Sequence, residues 1–105
     1  MKPLVQCMPM TIDRLLAEKR EEILRLAASR GARNVRVFGS VVRGEATEES
    51  DIDLLVEVES GRSLLDVVGL WLDLQELLDR KVDLLTDAGV NRHLRERIMS
   101  EARPL

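Results

Sequence analysis

The segment Asp51 to Glu59 constrains this chain more than any other. Ile52, Leu54, Val56 and Val58 alternate with Asp51, Asp53, Leu55 and Glu57, the period-2 pattern of a strand with one face turned inward. Gly61 ends the run. Two carboxylates two residues apart on a strand project from the same face, about 7 Å apart along the chain. Like charges so placed repel, and burial or proximity raises a pKa unless a cation sits between them.

The flanking segments alternate helix and strand. From Thr11 to Ser29 the residues Ile12, Leu15, Leu16, Ile23, Leu26 and Ala27 follow helical spacing, with Thr11 as N-cap, Gly31 as stop, and Glu18, Lys19, Glu21 and Glu22 outside. Asn34 to Phe38 reads as a short strand, broken by Gly39-Ser40, and Val41 to Gly44 as a short helix. Glu45 to Ser50 is a polar loop. Ser63 to Arg80 is a long helix with Ser63 as N-cap and Asp66 at the position where a carboxylate suits the N-terminus. Leu64, Val67, Val68, Leu70, Trp71, Leu74, Leu77 and Leu78 cover half its circumference, which places Trp71 in the core. Leu65 and Leu72 lie beyond that arc, and so mark a homodimer or partner surface. Lys81 to Thr86 is a third strand, and Asn91 to Glu101 a last helix with the stripe Val90, Leu94, Ile98 and Ala102. The expected fold is α/β (α+β), a small sheet flanked by helices.

A chain of 105 residues suits one domain, here residues 11–105 behind an irregular extension, residues 1–10. Met8 and Met10 stand beside Met1 as alternative starts. One Phe, one Trp and no Tyr argue against a base-stacking nucleic-acid binder, and a net charge of −3 against a nucleic-acid coat. Arg92, Arg95, Arg97 and Arg103 are diluted by Glu96 and Glu101, so they read as a solvated face, and His93 as a surface residue. Cys7 has no cysteine partner. No stretch approaches the ~20 apolar residues that span a bilayer, and no apolar leader precedes Pro9, so the expected location is cytoplasmic.

Asp83 alternates with Val82 and Leu84, and meets Asp51 and Asp53 if the two strands are neighbours. Carboxylates with substrate phosphates suit Mg²⁺, and three convergent acids suit two such ions clamping an in-line displacement. Gly39-Ser40-Val41-Val42-Arg43-Gly44 follows a strand and opens a helix, where glycine admits a phosphate, the helix start and Ser40 donate to it, and Arg43 forks two bonds to it. Alone, a Gly-Ser is a common strand-to-turn junction, an Asp-x-Asp can be a solvated strand start, and Asp83 can be a surface acid. Together, on these elements, they read as one site.

Phe38-Gly39-Ser40-Val41-Val42-Arg43-Gly44, Ser50-Asp51-Ile52-Asp53-Leu54-Leu55-Val56 and Val82-Asp83-Leu84 resemble the minimal nucleotidyltransferases (MNT) of the DNA polymerase β superfamily, above all the MNT antitoxins paired with HEPN toxins. The resemblance runs from Thr11 to the C-terminus and departs at Val42, where alanine is usual. It implies a polymerase-β-like fold in which Gly39, Ser40, Arg43 and Ser50 bind the nucleotide. It further implies that Asp51 and Asp53 hold both Mg²⁺ ions, and that Asp83 shares the catalytic metal and takes the acceptor's proton. Its functional implication is transfer of AMP from ATP to a tyrosine of a HEPN toxin. A stoichiometric antitoxin that uses ATP only structurally is one alternative, and nucleotidyl transfer to a small molecule or RNA is another. The intact acid triad speaks against the first, and the lack of a substrate domain against the second.

Overall fold

Four strands form one mixed sheet in a computed structural model that describes residues 12–46, 50–89 and 92–105. In chain order the elements are α1 (Ile12–Ser29), β1 (Ala32–Phe38), α2 (Ser40–Arg43), β2 (Ile52–Val58), α3 (Leu64–Leu78), β3 (Val82–Thr86), a 3₁₀ turn (Asp87–Gly89), α4 (Arg92–Glu101) and β4 (Arg103–Pro104). The sheet order is β3-β2-β1-β4. β2 and β3 are parallel, because α3 carries the chain back across the sheet between them, and the other two pairings are antiparallel. Thr11, Cys7, Val90, Asn91 and the loop 47–49 lie outside the described residues.

Both faces of the central strand are covered. Ile52, Leu54 and Val56 are buried with Ile12, Leu16, Ile23 and Ala27 of α1 and Leu70, Leu74 and Leu78 of α3. On the opposite face Leu55 packs with Phe38 and Ile98. The expected periodicity of β2 is therefore observed, and Leu55 is the apolar member of its functional face. β1 starts two residues earlier than expected. Asn34 has a positive φ of 50°, which asparagine tolerates, and the register with β2 shifts between Arg33 and Arg36. That bulge hides the alternation of the strand's first half.

α3 behaves differently from its sequence pattern. Only Leu70, Leu74 and Leu78 are buried; Leu64 and Leu65 are 75% and 79% exposed, and Leu72 is 53% exposed. Trp71 is not a core residue either, being 37% exposed. Its indole N–H donates to the Val82 carbonyl at 2.6 Å, while the Val82 N–H donates to Gln75 Oε1 at 3.2 Å. The cause is geometric: an arc half a turn wide meets a sheet whose outermost strand is β3, so the surplus apolar side chains overhang the edge. Leu94, in the expected stripe of α4, is likewise half exposed, leaving Ile98 as the buried anchor.

β4 has no counterpart in the sequence pattern, since two residues, one of them proline, carry no alternation. It pairs with Arg36 and Val37 at the sheet edge, where a proline is tolerated. No helix among the described residues is long and apolar enough to cross a membrane.

The start of α3 is capped as its residues suggest: the Ser63 N–H donates to Asp66 Oδ2 at 3.2 Å. Asp66→Ala removes that bond and a charge suited to the helix dipole, and is expected to lower stability by about 0.5–1 kcal/mol in a urea titration, with no change in m-value.

Candidate active site

The parallel pairing of β2 and β3 decides the site, because it sets Asp53 directly beside Asp83. Neighbouring strands lie about 4.8 Å apart and paired residues project to the same face. The two carboxylates lie close enough to share a proton, and Asp53 has its pKa pushed up to about 6. Burial is the leading cause, followed by the charge of Asp83, the hydrogen bond with it and the charge of Asp51; Arg43 works in the opposite direction. Asp51 lies just before β2 at the same end of the sheet, its carboxylate 4.0 Å from Lys81 Nζ.

On the other flank Asp53 pairs with Phe38, the last residue of β1, and Gly39 follows. Gly39 has φ 77° and ψ −146°, a backbone closed to residues with a side chain. A Cβ there would fall on Oδ2 of Asp53. The turn thus brings bare backbone against the carboxylate and starts α2 at Ser40, with Gly44 in the left-handed region closing the helix. The first amides of a helix have no intrahelical partner, so the start of α2 offers donors next to the acids. Ser40 and Ser50 are half-buried beside this turn and beside Asp51 respectively.

Arg43 reaches Glu101 Oε1 of α4 at 2.6 Å through Nη1 and Glu45 Oε1 at 2.9 Å through Nε. These hydrogen bonds, Glu101's first, hold its pKa above the ordinary value. Its guanidinium remains charged and close enough to Asp53 to oppose the repulsion of the other acids.

Residues 16–105 match the nucleotidyltransferase domain family. A solved structure described as a minimal nucleotidyltransferase superposes with a TM-score of 0.80 at 51% identity, over 91% of this chain and 97% of that one. The chain belongs to the minimal nucleotidyltransferases. A Methanocaldococcus jannaschii protein assigned as a protein adenylyltransferase is 41% identical over 85 residues, 81% of this chain and 91% of its own. The protein adenylyltransferase MntA of Thermococcus cleftensis is 41% identical over 71 residues, 68% of this chain and 72% of its own. A crystal structure of a toxin–antitoxin with AMP-PNP, at 22% identity, a TM-score of 0.69 and coverage of 80% and 69%, shares the fold.

As a nucleotidyltransferase, the chain has an all-oxygen donor set in which two repelling carboxylates are held in contact, which fits a hard divalent cation. Among the described residues no three His, Cys, Asp or Glu side chains close on a single point, and Asp51 lies 4.0 Å from Lys81 Nζ. The pair is Asp53–Asp83, with Asp51 beside it. A cavity of about 530 Å³ opens onto that pair, lined also by Phe38, Trp71 and Leu84. Sequence reasoning missed Lys81, the two glutamates on Arg43, and Trp71 as a wall of the cavity. Only Lys81, adjacent to the third strand's start and opposite in charge to Asp51, left a readable trace.

The raised pKa of Asp53 has a sign that can be tested. Its native pKa exceeds the unfolded value, so the native state holds an extra proton between roughly pH 4 and 6, and stability is lost as pH rises through that window. Asp53→Asn should therefore melt higher than the parent at pH 7.5, with the difference vanishing near pH 4. Screening at a half-exposed site limits the gain to about 1 kcal/mol, a rise of roughly 4–8 °C. A parent that melts higher at pH 7.5 than at pH 5, with no gain from the substitution, would show that the acid pair carries no strain. Gly39→Ala should lower the melting temperature and abolish nucleotide binding, read by differential scanning fluorimetry with and without nucleotide.

Proposed function

We propose that this nucleotidyltransferase is a protein adenylyltransferase that silences a toxin: it moves AMP from ATP onto a hydroxyl of a partner protein, a tyrosine of a HEPN-type toxin. The observation that carries the reading is the contact of Asp53 with Asp83 beside the bare backbone of Gly39. Two acids beside bare backbone at the start of a helix suit phosphoryl chemistry. The names borne by the relatives, protein adenylyltransferase and MntA, support the acceptor class. Exposed Leu65 and Leu72 of α3 supply apolar surface for that partner or for a second copy.

In the transfer, the acceptor oxygen attacks the α-phosphorus of ATP, an O–P bond forms, the bond to the β-phosphate oxygen breaks, and pyrophosphate leaves. Asp83 takes the proton of the attacking hydroxyl. Asp51, Asp53 and Asp83 would hold two Mg²⁺ ions, which supply electrostatic stabilisation of the attacking and leaving oxygens. Gly39 and the α2 amides cradle the triphosphate with Ser40 and Ser50, and Arg43 turns from Glu45 and Glu101 to meet it.

The decisive variant is Asp83→Asn, nearly isosteric but unable to accept the proton. The loss of base and ligand together is expected to slow transfer roughly a thousandfold or more. The measurement is the mass of the co-expressed toxin after incubation with ATP and Mg²⁺. One or more added AMP units with the parent and none with Asp83→Asn bear out the enzyme. Equal neutralisation of the toxin by both, with no added mass, would instead mean inhibition by contact. Omitting Mg²⁺ should weaken ATP binding in calorimetry, and equal affinity would count against the metal assignment.

A further inference from the structure

β3 is the outer strand of the sheet, and its edge is only partly protected. The Lys81 carbonyl accepts from the Ile52 N–H, so Lys81, Asp83 and Leu85 turn their backbone groups toward β2. Val82 and Leu84 then turn theirs outward, as does the Thr86 N–H, while the Thr86 carbonyl closes the 3₁₀ turn that follows. Both outward groups of Val82 are taken, the N–H by Gln75 and the carbonyl by Trp71. Covering an edge with side chains is a common protection against unwanted pairing. Among the described residues the cover ends at Val82, and from Leu84 onward a trough opens instead.

The trough is formed by two cavities that share Val67. One, of about 530 Å³, is lined by Asp83, Leu84 and Leu85; the other, of about 520 Å³, by Thr86, Asp87 and Ala88. Successive side chains of a strand take opposite faces. The first cavity lies over the open face of the sheet at Phe38 and Asp53, and by taking in the consecutive residues Asp83, Leu84 and Leu85 it also reaches round onto the edge of β3. Val67 and Val68 of α3 wall it on one side and Leu94 and Ile98 of α4 on the other, and it opens onto Asp53 and Asp83.

We propose that an extended segment of the acceptor protein adds to the free edge of β3 as a fifth strand, pairing at Leu84 and Thr86, and is so carried to Asp53 and Asp83. Main-chain pairing supplies affinity in such additions and the flanking walls supply selectivity. From Asp83 to Thr86 the edge runs about 10 Å, room for an extended segment of about four residues. A second copy of this chain would bring no phenol to the acids, since the sequence has no tyrosine. Polar groups at every second residue suit a peptide backbone rather than a base. The proposal rests on the reading that the acceptor is a protein.

The test uses a synthetic hexapeptide of valine and threonine with one central tyrosine, and tyramine as an acceptor too short to pair. With the ¹⁵N-labelled full chain, Mg²⁺ and a non-hydrolysable ATP analogue, the peptide is expected to shift the Leu84 and Thr86 amides and slow their exchange tenfold or more. The Val82 amide, already bonded to Gln75, should not change. N-methylation of the peptide on its pairing edge should abolish both the protection and AMP transfer, and N-methylation on the other edge should spare both. Ala88→Arg, which fills the second cavity away from Asp53 and Asp83, should lower transfer to the peptide at least tenfold and leave transfer to tyramine intact. Absence of binding, protection elsewhere than β3, or equal tolerance of both methylation patterns would overturn the docking. Failure of tyramine itself to accept AMP would overturn the adenylylation reading instead, so the two failures are distinct.

Discussion

Asp53 and Asp83 are in contact because two parallel strands hold them in register, and much of the molecule is arranged around that contact. Neither acid would choose the position. Burial and mutual repulsion favour the protonated form of Asp53, so the fold holds the pair against their preference. The force that does so is apolar packing: Ile52, Leu54 and Val56 on one face of β2 and Leu55 on the other are buried almost completely. A strand fixed on both faces cannot rotate or slip by a residue, since a slip would move every side chain to the wrong face. Strain at the acids is thus the cost of holding the two carboxylates side by side.

The surroundings answer the same charge. Gly39 withholds a Cβ so that the turn can lie against the Asp53 carboxylate, and α2 begins there. Arg43 offsets part of the negative field while tied to Glu45 and Glu101. Glu101 ends α4 just before β4, whose pairing with β1 is followed by Leu105 donating its N–H to the Val35 carbonyl. The C-terminal segment therefore anchors, through Glu101, an arginine that stands 58 residues earlier in the chain. Lys81 plays a similar part for Asp51.

α3 serves two surfaces that a single apolar arc would not distinguish. Leu70, Leu74 and Leu78 fill the core, while Trp71 and Gln75 seal the backbone of Val82, and Leu64, Leu65 and Leu72 stay in solvent. The helix is more apolar than its own core contact requires.

The elements and the candidate residues were legible because each is a local property. Period-2 alternation gives β2, i, i+4 spacing gives α1 and the buried line of α3, and Ser63 with Asp66 marks a helix start. Gly39-Ser40, Asp51, Asp53 and Asp83 could be named because phosphate turns and metal strands need those residue types at those spacings. The bulge at Asn34, the two-residue β4 and the exposure of Trp71 were not legible, since each depends on a partner distant in the chain. The sequence by itself determined which residues could form the site and the family to which they belong. Only the tertiary structure decided that Asp53 touches Asp83 while Asp51 leans to Lys81, and that Arg43 rests on Glu101. Strand order and register are collective outcomes of packing both faces of β2, and no local pattern encodes them.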